Sequence, residues 1–172
     1  YGENKYNLRS PMKANFGLAY TIGTLGVISA DYELCNYGGM RFNGSSYDRD
    51  YFDEVNNEIR EYFGVGHTLR AGVEIRPVNG LALRAGYNLI TSGDKYDAWG
   101  EPIKAPQTHN ISFGLGYSSK KSFFADIAAR TTIMPDEYFM PYADYIYDDE
   151  GYVSAPTPEI LNHQSLWKIL LT

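Results

Sequence analysis

The chain has 172 residues and a net charge of -6, a length suited to one domain. The acidic balance argues against nucleic acid as a partner, because phosphate binding needs clustered Lys and Arg. The single Cys35 excludes an internal disulfide and a cysteine-rich zinc site. There is no run of about 18 apolar residues, so no transmembrane helix is expected. A membrane is not excluded, since a barrel strand crosses with only about 9–11 residues, every second one apolar. Tyrosine is abundant at 16, beside 8 Phe and 17 Gly, and helix-forming runs are few. That composition favours an all-β fold.

Pro11 to Ile22 alternates with period two, the signature of a strand. Met12, Ala14, Phe16, Leu18, Tyr20 and Ile22 fall on one face, and Lys13, Asn15, Gly17, Ala19 and Thr21 on the other. A short turn follows near Gly23-Thr24. Gly26 to Asn36 then places Ile28, Ala30, Tyr32 and Leu34 opposite Ser29, Asp31, Glu33 and Cys35. Residues 37–58 are long, polar and rich in Gly, Ser, Asp and Asn, and read as a loop.

The third strand is expected from about Ile59 to Pro77, with a bulge or a rise above the apolar zone where Glu61 and His67 break the parity. Its lower part and the fourth strand, Leu81 to about Ile90, form the clearest hairpin. Leu69, Ala71, Val73 and Ile75 alternate with Arg70, Gly72, Glu74 and Arg76. Leu81, Leu83, Ala85, Tyr87 and Leu89 alternate with Ala82, Arg84, Gly86 and Asn88. Val78-Asn79-Gly80 is the turn, with Gly80 suited to a left-handed position. This loop length pairs Pro77 with Leu81, which puts both apolar sets on one face and sets Glu74 opposite Arg84.

Residues 91–108 form a second long loop. In the fifth strand, His109 to Ser118, Ile111, Phe113, Leu115 and Tyr117 oppose Asn110, Ser112, Gly114 and Gly116. After a turn at Ser119-Lys120-Lys121, Phe123, Ala125, Ile127 and Ala129 oppose Phe124, Asp126, Ala128 and Arg130. Residues 134–161 form a third long loop. His163 to Thr172 opens a seventh strand, with Trp167, Ile169 and Leu171 against Lys168. Tyr1 is no initiator, no signal peptide opens the chain, and the last residues stop within a strand pattern. The chain is therefore expected to be part of a longer protein.

Turns thus alternate short and long, as in outer-membrane barrels. The alternation by itself does not say which face is inside, and a soluble barrel or sandwich has the same period. Three features favour a membrane barrel. Arg70, Glu74, Arg76 and Arg84 crowd one face of one hairpin. Gly17, Gly72, Gly86, Gly114 and Gly116 all lie on the polar face, where close packing against a plug would need small residues. The loop lengths are asymmetric. Tyr20, Tyr87, Tyr117 and Trp167 are candidates for interfacial aromatic girdles.

The runs HTLRAGVEIRPVNGLALRAGYN and THNISFGLGYSSKKSFFADIA resemble the C-terminal half of the FadL/TodX long-chain fatty acid transporter family. Members from Bacteroidetes-type bacteria, some labelled hemin receptors, look most alike. The resemblance covers about Met12 to Thr172, those two hairpins carry most of it, and the motifs at Arg84 to Tyr87 and His109 to Tyr117 are stronger together than alone. It implies a monomeric barrel in the bacterial outer membrane, about fourteen strands round with about seven seen here. An N-terminal segment would plug the lumen, and hydrophobic molecules would pass inward by diffusion. Plug, first half and terminal aromatic residue are absent from this chain, so no substrate residue carries over.

Candidate chemistry is thin. His67, His109 and His163 lack metal-ligand spacing, no haem axial-ligand pattern appears, and no cofactor or catalytic cluster is expected. Asp31, Glu33, Arg70, Glu74, Arg76, Arg84, Asp126 and Arg130 are expected to form a lumen-facing charge network. It would hold strands and plug in register, or meet a substrate carboxylate; the mixed signs favour the first role. In the third loop, Tyr138, Phe139 and Tyr142 are candidates for collecting a hydrophobic ligand. The alternative is a self-packed loop whose acids are solvated, or bind divalent ions beside lipopolysaccharide. Transport of a fatty-acid-like compound is the leading functional expectation. A structural or adhesin barrel and, further off, a barrel enzyme are the alternatives.

Overall fold

The computed structural model describes residues 6–44, 49–97, 100–119, 123–139, 145–148, 151–154, 158 and 160–172. In chain order the strands are β1 (Tyr6–Arg9), β2 (Met12–Ile22), β3 (Gly26–Asn36) and β4 (Arg41–Gly44), then the helix α1 (Arg49–Tyr62). There follow β5 (Val65–Ile75), β6 (Leu81–Thr91), β7 (Gln107–Ser118), β8 (Phe124–Ile133) and β9 (Glu137–Phe139). The last are β10 (Tyr145–Asp148), β11 (Gly151–Ser154), β12 (Ile160–Asn162) and β13 (Ser165–Leu171).

Seven strands form one antiparallel sheet in the order β13-β8-β7-β6-β5-β3-β2. It is a meander, so each strand lies beside its neighbour in the chain once the long connections are passed. All seven expected strands are present. β2, β3, β5 and β6 are each 11 residues long, and β7 is 12. The two ends of the sheet, β2 and β13, each have a single partner.

The register keeps one parity on one face across the whole sheet. Phe16 pairs with Tyr32, Tyr32 with Leu69, Leu69 with Leu89, and Leu89 with His109. One step along the strands, Tyr87 pairs with Ile111, Ile111 with Thr131, and Thr131 with Trp167. On the opposite face Asp31 pairs with Arg70, Arg70 with Asn88, Asn88 with Asn110, and Asn110 with Thr132. Glu74 stands opposite Arg84, as the hairpin turn demands. Gly80 has φ +87° there, a region that side-chain-bearing residues avoid.

The apolar face is bare. Leu18 is 84 % exposed, Phe113 63 % and Trp167 69 %. Among the described residues the buried hydrophobic side chains are Cys35 and Ile59. The chain exposes 13400 Å² for 19.4 kDa. A folded monomer of that mass exposes about 8500 Å². The sheet does not cover its own hydrophobic surface.

The structure corrects the first long connection. Residues 49–62, expected as loop running into the third strand, are helical, and β5 begins only at Val65. Ile59, Glu61 and Phe63 therefore belong to no strand end or bulge. The helix period is legible in Phe52, Val55, Asn56, Ile59 and Tyr62, three or four residues apart. Asp50 in its first turn and Arg60 in its last suit the helix dipole. The third connection, expected as loop, contains β9 paired with β12 and β10 paired with β11.

Candidate functional site

Ion pairs join six of the eight residues expected in the charge network, in two groups held on the polar face by the strand register. In the first, Arg70 on β5 donates from Nη2 to Glu33 Oε2 on β3 at 3.1 Å. Lys13 Nζ on β2 lies 3.8 Å from Glu33 Oε1. In the second, Glu74 accepts from Arg76 at 2.6 Å and from Arg84 Nε at 2.7 Å. Arg84 also donates from Nη1 to Asp126 Oδ1 at 2.6 Å, reaching from β6 across β7 to β8.

Gly116 on β7 makes room for that crossing. A Cβ on Gly116 would overlap the Asp126 carboxylate and sit 2.9 Å from Arg84 Nη1. At Gly17 a Cβ would overlap the Asp31 carboxylate, and at Gly86 it would meet Ser112 Oγ at 2.7 Å. These glycines make room for polar side chains from adjacent strands, which explains them without packing against a plug.

Two members of the predicted network sit outside these ion pairs. Asp31 lies over Gly17, and its cross-strand neighbour Arg70 turns to Glu33. Arg130 donates from Nε at 3.0 Å, and also from Nη2, to the amide oxygen of Asn110. Thr132 Oγ1 donates to the same oxygen at 2.7 Å. Asn110 is 5 % exposed and was not singled out by its sequence position. Its only sequence signal is polar parity, shared with many residues.

On the apolar face two strand pairs repeat one diagonal contact. The Tyr32 hydroxyl lies 2.7 Å from His67 Nδ1, and the Tyr87 hydroxyl 2.8 Å from His109 Nδ1. His163 Nδ1 lies 2.5 Å from Asp136 Oδ1. Of the three residues expected to collect ligand, Phe139 is 54 % exposed and pairs with Ile160. Tyr138 pairs with Leu161 through its backbone, while its side chain and Tyr142 lie outside the described residues.

A hollow that the sequence did not suggest lies at the end of the long connections. It measures about 400 Å³, within the range of small-ligand pockets. Val55, Ile59 and Phe63 are its apolar floor, and Tyr62 and Tyr96 meet edge to face with ring centroids 5.3 Å apart. Glu58, Asp94 and Asp97 stand around it. Its walls are stitched together by backbone. Gly64 N–H donates to Gly93 O at 2.6 Å and Lys95 N–H to Tyr62 O at 3.0 Å. Phe63 and Asp94 form an antiparallel bridge. Lys95 Nζ donates to the Arg60 carbonyl at 2.7 Å, at the C-terminus of α1, where a cation is favoured.

Comparison of the chain with family models, curated proteins and solved structures gives no match.

Beside the hollow, Tyr37 ties the connections to the sheet. Its ring packs on Gly66 and Gly93, where an added Cβ would stand 2.9 Å and 2.6 Å from ring carbons. The side-chain hydrogen bond with Cys35 and then burial hold the Tyr37 hydroxyl above the usual tyrosine range.

Proposed function

We propose that this chain is part of a bacterial outer-membrane β-barrel through which hydrophobic compounds, long-chain fatty acids among them, diffuse passively. The observation that carries this reading is the bare apolar face running unbroken across seven strands, opposite a face laddered with ion pairs. In water such a face would drive aggregation. In lipid it is the covered side, and the charged face becomes the lumen.

Strand length supports the same reading. An 11-residue strand rises about 3.4 Å per residue, and a tilt near 45° reduces its span to about 26 Å. The apolar band of such barrels is about 25 Å tall. Short turns join β2 to β3 and β5 to β6, while the connections after β3, β6 and β8 are long. The two open edges call for further strands to complete a barrel. The resemblance to the fatty acid transporter family supplies the substrate class and the passive route.

A structural or adhesin barrel is the second reading. The observation in its favour is that Arg70, Arg76 and Arg84 are all paired with acids, which leaves these three cations engaged. Uptake of labelled oleate by cells with and without the gene separates the two; equal uptake favours the structural reading. Membrane insertion is tested apart from transport. With Trp99 replaced by Phe, Trp167 fluorescence should be quenched by brominated lipid. No quenching would overturn the membrane assignment.

A further inference from the structure

We infer that the hollow between α1 and the β6–β7 connection binds the ammonium group of a small hydrophobic cation and discriminates against carboxylates. Three features converge on that chemistry. The first is the aromatic surface: Tyr62 and Tyr96 meet edge to face, with Phe63 beside them. Aromatic faces attract organic cations through the ring quadrupole, and quaternary ammonium groups are the ligands best suited to them. The second is the sign of the surrounding charge. Glu58, Asp94 and Asp97 all border the hollow, and the neighbouring Lys95 is drawn to the Arg60 carbonyl. The third is the apolar floor of Val55 and Ile59, with Ile59 8 % exposed, which would receive an alkyl chain.

The charge pattern of the whole chain agrees. Residues 37–64, 92–106 and 134–164, the three long connections, hold 16 of the 21 acids and 5 of the 15 bases. Their net charge is -11, against -6 for the whole chain, so the remainder is +5. This balance favours a hydrophobic cation near the connections. The hollow is also built rather than accidental. Backbone hydrogen bonds join its two walls at Gly64 to Gly93 and at Lys95 to Tyr62.

The inference concerns binding at this end of the molecule and stands whether or not anything is transported. Its test uses the full-length protein in lipid nanodiscs, with octyltrimethylammonium, octanol and octanoate as probes sharing one alkyl length. Calorimetry should show saturable binding of the ammonium, about tenfold tighter than octanoate and absent from empty nanodiscs. Glu58→Gln with Asp94→Asn should weaken the ammonium about tenfold and leave octanol unchanged. Tyr96→Leu should weaken the ammonium more than octanol, since only the cation uses the ring face. Equal binding of octanoate and the ammonium, or ammonium binding untouched by the carboxylate changes, would overturn the inference. If Asp94→Asn loosens the connection, Glu58→Gln alone, on the exposed side of α1, decides the matter. Loss of oleate uptake with ammonium binding intact, or the reverse, separates this inference from the transport reading.

Discussion

Asn56 holds Phe42 at both of its backbone groups. Asn56 Oδ1 accepts the Phe42 N–H at 2.7 Å, and Asn56 Nδ2 donates to the Phe42 carbonyl at 2.8 Å. The side-chain amide thus acts as one residue of an extra strand on the edge of β4, whose other edge pairs with β1. Asn56 is 7 % exposed, so water does not readily replace it. Asn56→Ala should cost about 1–3 kcal/mol of local stability, the penalty of unpaired buried polar groups. Asn56→Asp keeps the acceptor and sets a carboxylate against a carbonyl, and should cost at least as much. Hydrogen exchange at the Phe42 amide reads both changes, and unchanged protection would show that α1 is held by other contacts.

Gly116, Asp126 and Arg84 form a sterically coupled set. Gly116→Ala should push the Asp126 carboxylate aside and break its bond with Arg84. In an Asp126→Ala background the same substitution should be close to neutral, because the carboxylate overlap is gone and the released end of the Arg84 side chain can swing aside. Thermal unfolding of the four proteins of this cycle measures the coupling. Additive effects would mean that the Asp126 side chain moves away at no cost.

The Arg84 ion pairs should add little to stability, though they are well formed. Arg84 is 45 % exposed and Asp126 38 %, so solvent screens the attraction. Arg84→Gln should lower stability by no more than about 1 kcal/mol, and less in high salt. A denaturant titration at low and high ionic strength checks this. A large, salt-independent loss would instead indicate a water-excluded lumen.

Tyr37 sets an alkaline limit on the long connections. Its hydroxyl ionises above the usual range in the folded chain, and near pH 10 when unfolded. The folded form therefore holds its proton where the unfolded form has lost it. Stability from this group is complete below about pH 10 and is lost as pH rises through the folded value. Tyr37→Phe should flatten that alkaline loss, followed as proteolysis of the connections between pH 9 and 12. Unaltered pH dependence would place the alkaline limit elsewhere.

The local pattern of the strands was legible because each residue's face follows from parity alone. Period two located all seven sheet strands, and the three-residue turn at Val78-Asn79-Gly80 put Glu74 opposite Arg84. The helix at 49–62 departs from the loop expected there, although its spacing is present in the sequence. The surrounding Gly, Ser, Asp and Asn residues read as loop, and Ile59, Phe63 and Val65 kept apparent phase with the following strand. Tertiary structure alone decided the partners beyond the Glu74–Arg84 cross-strand pair. Arg84 reaches Asp126 two strands away over Gly116, whereas Arg130 turns to the Asn110 amide on the adjacent strand, because those choices depend on the room above the sheet and not on parity. It also decided the hollow. Tyr62 and Tyr96 lie 34 positions apart, and only the hydrogen bonds joining α1's end to the β6–β7 connection bring their rings together among carboxylates.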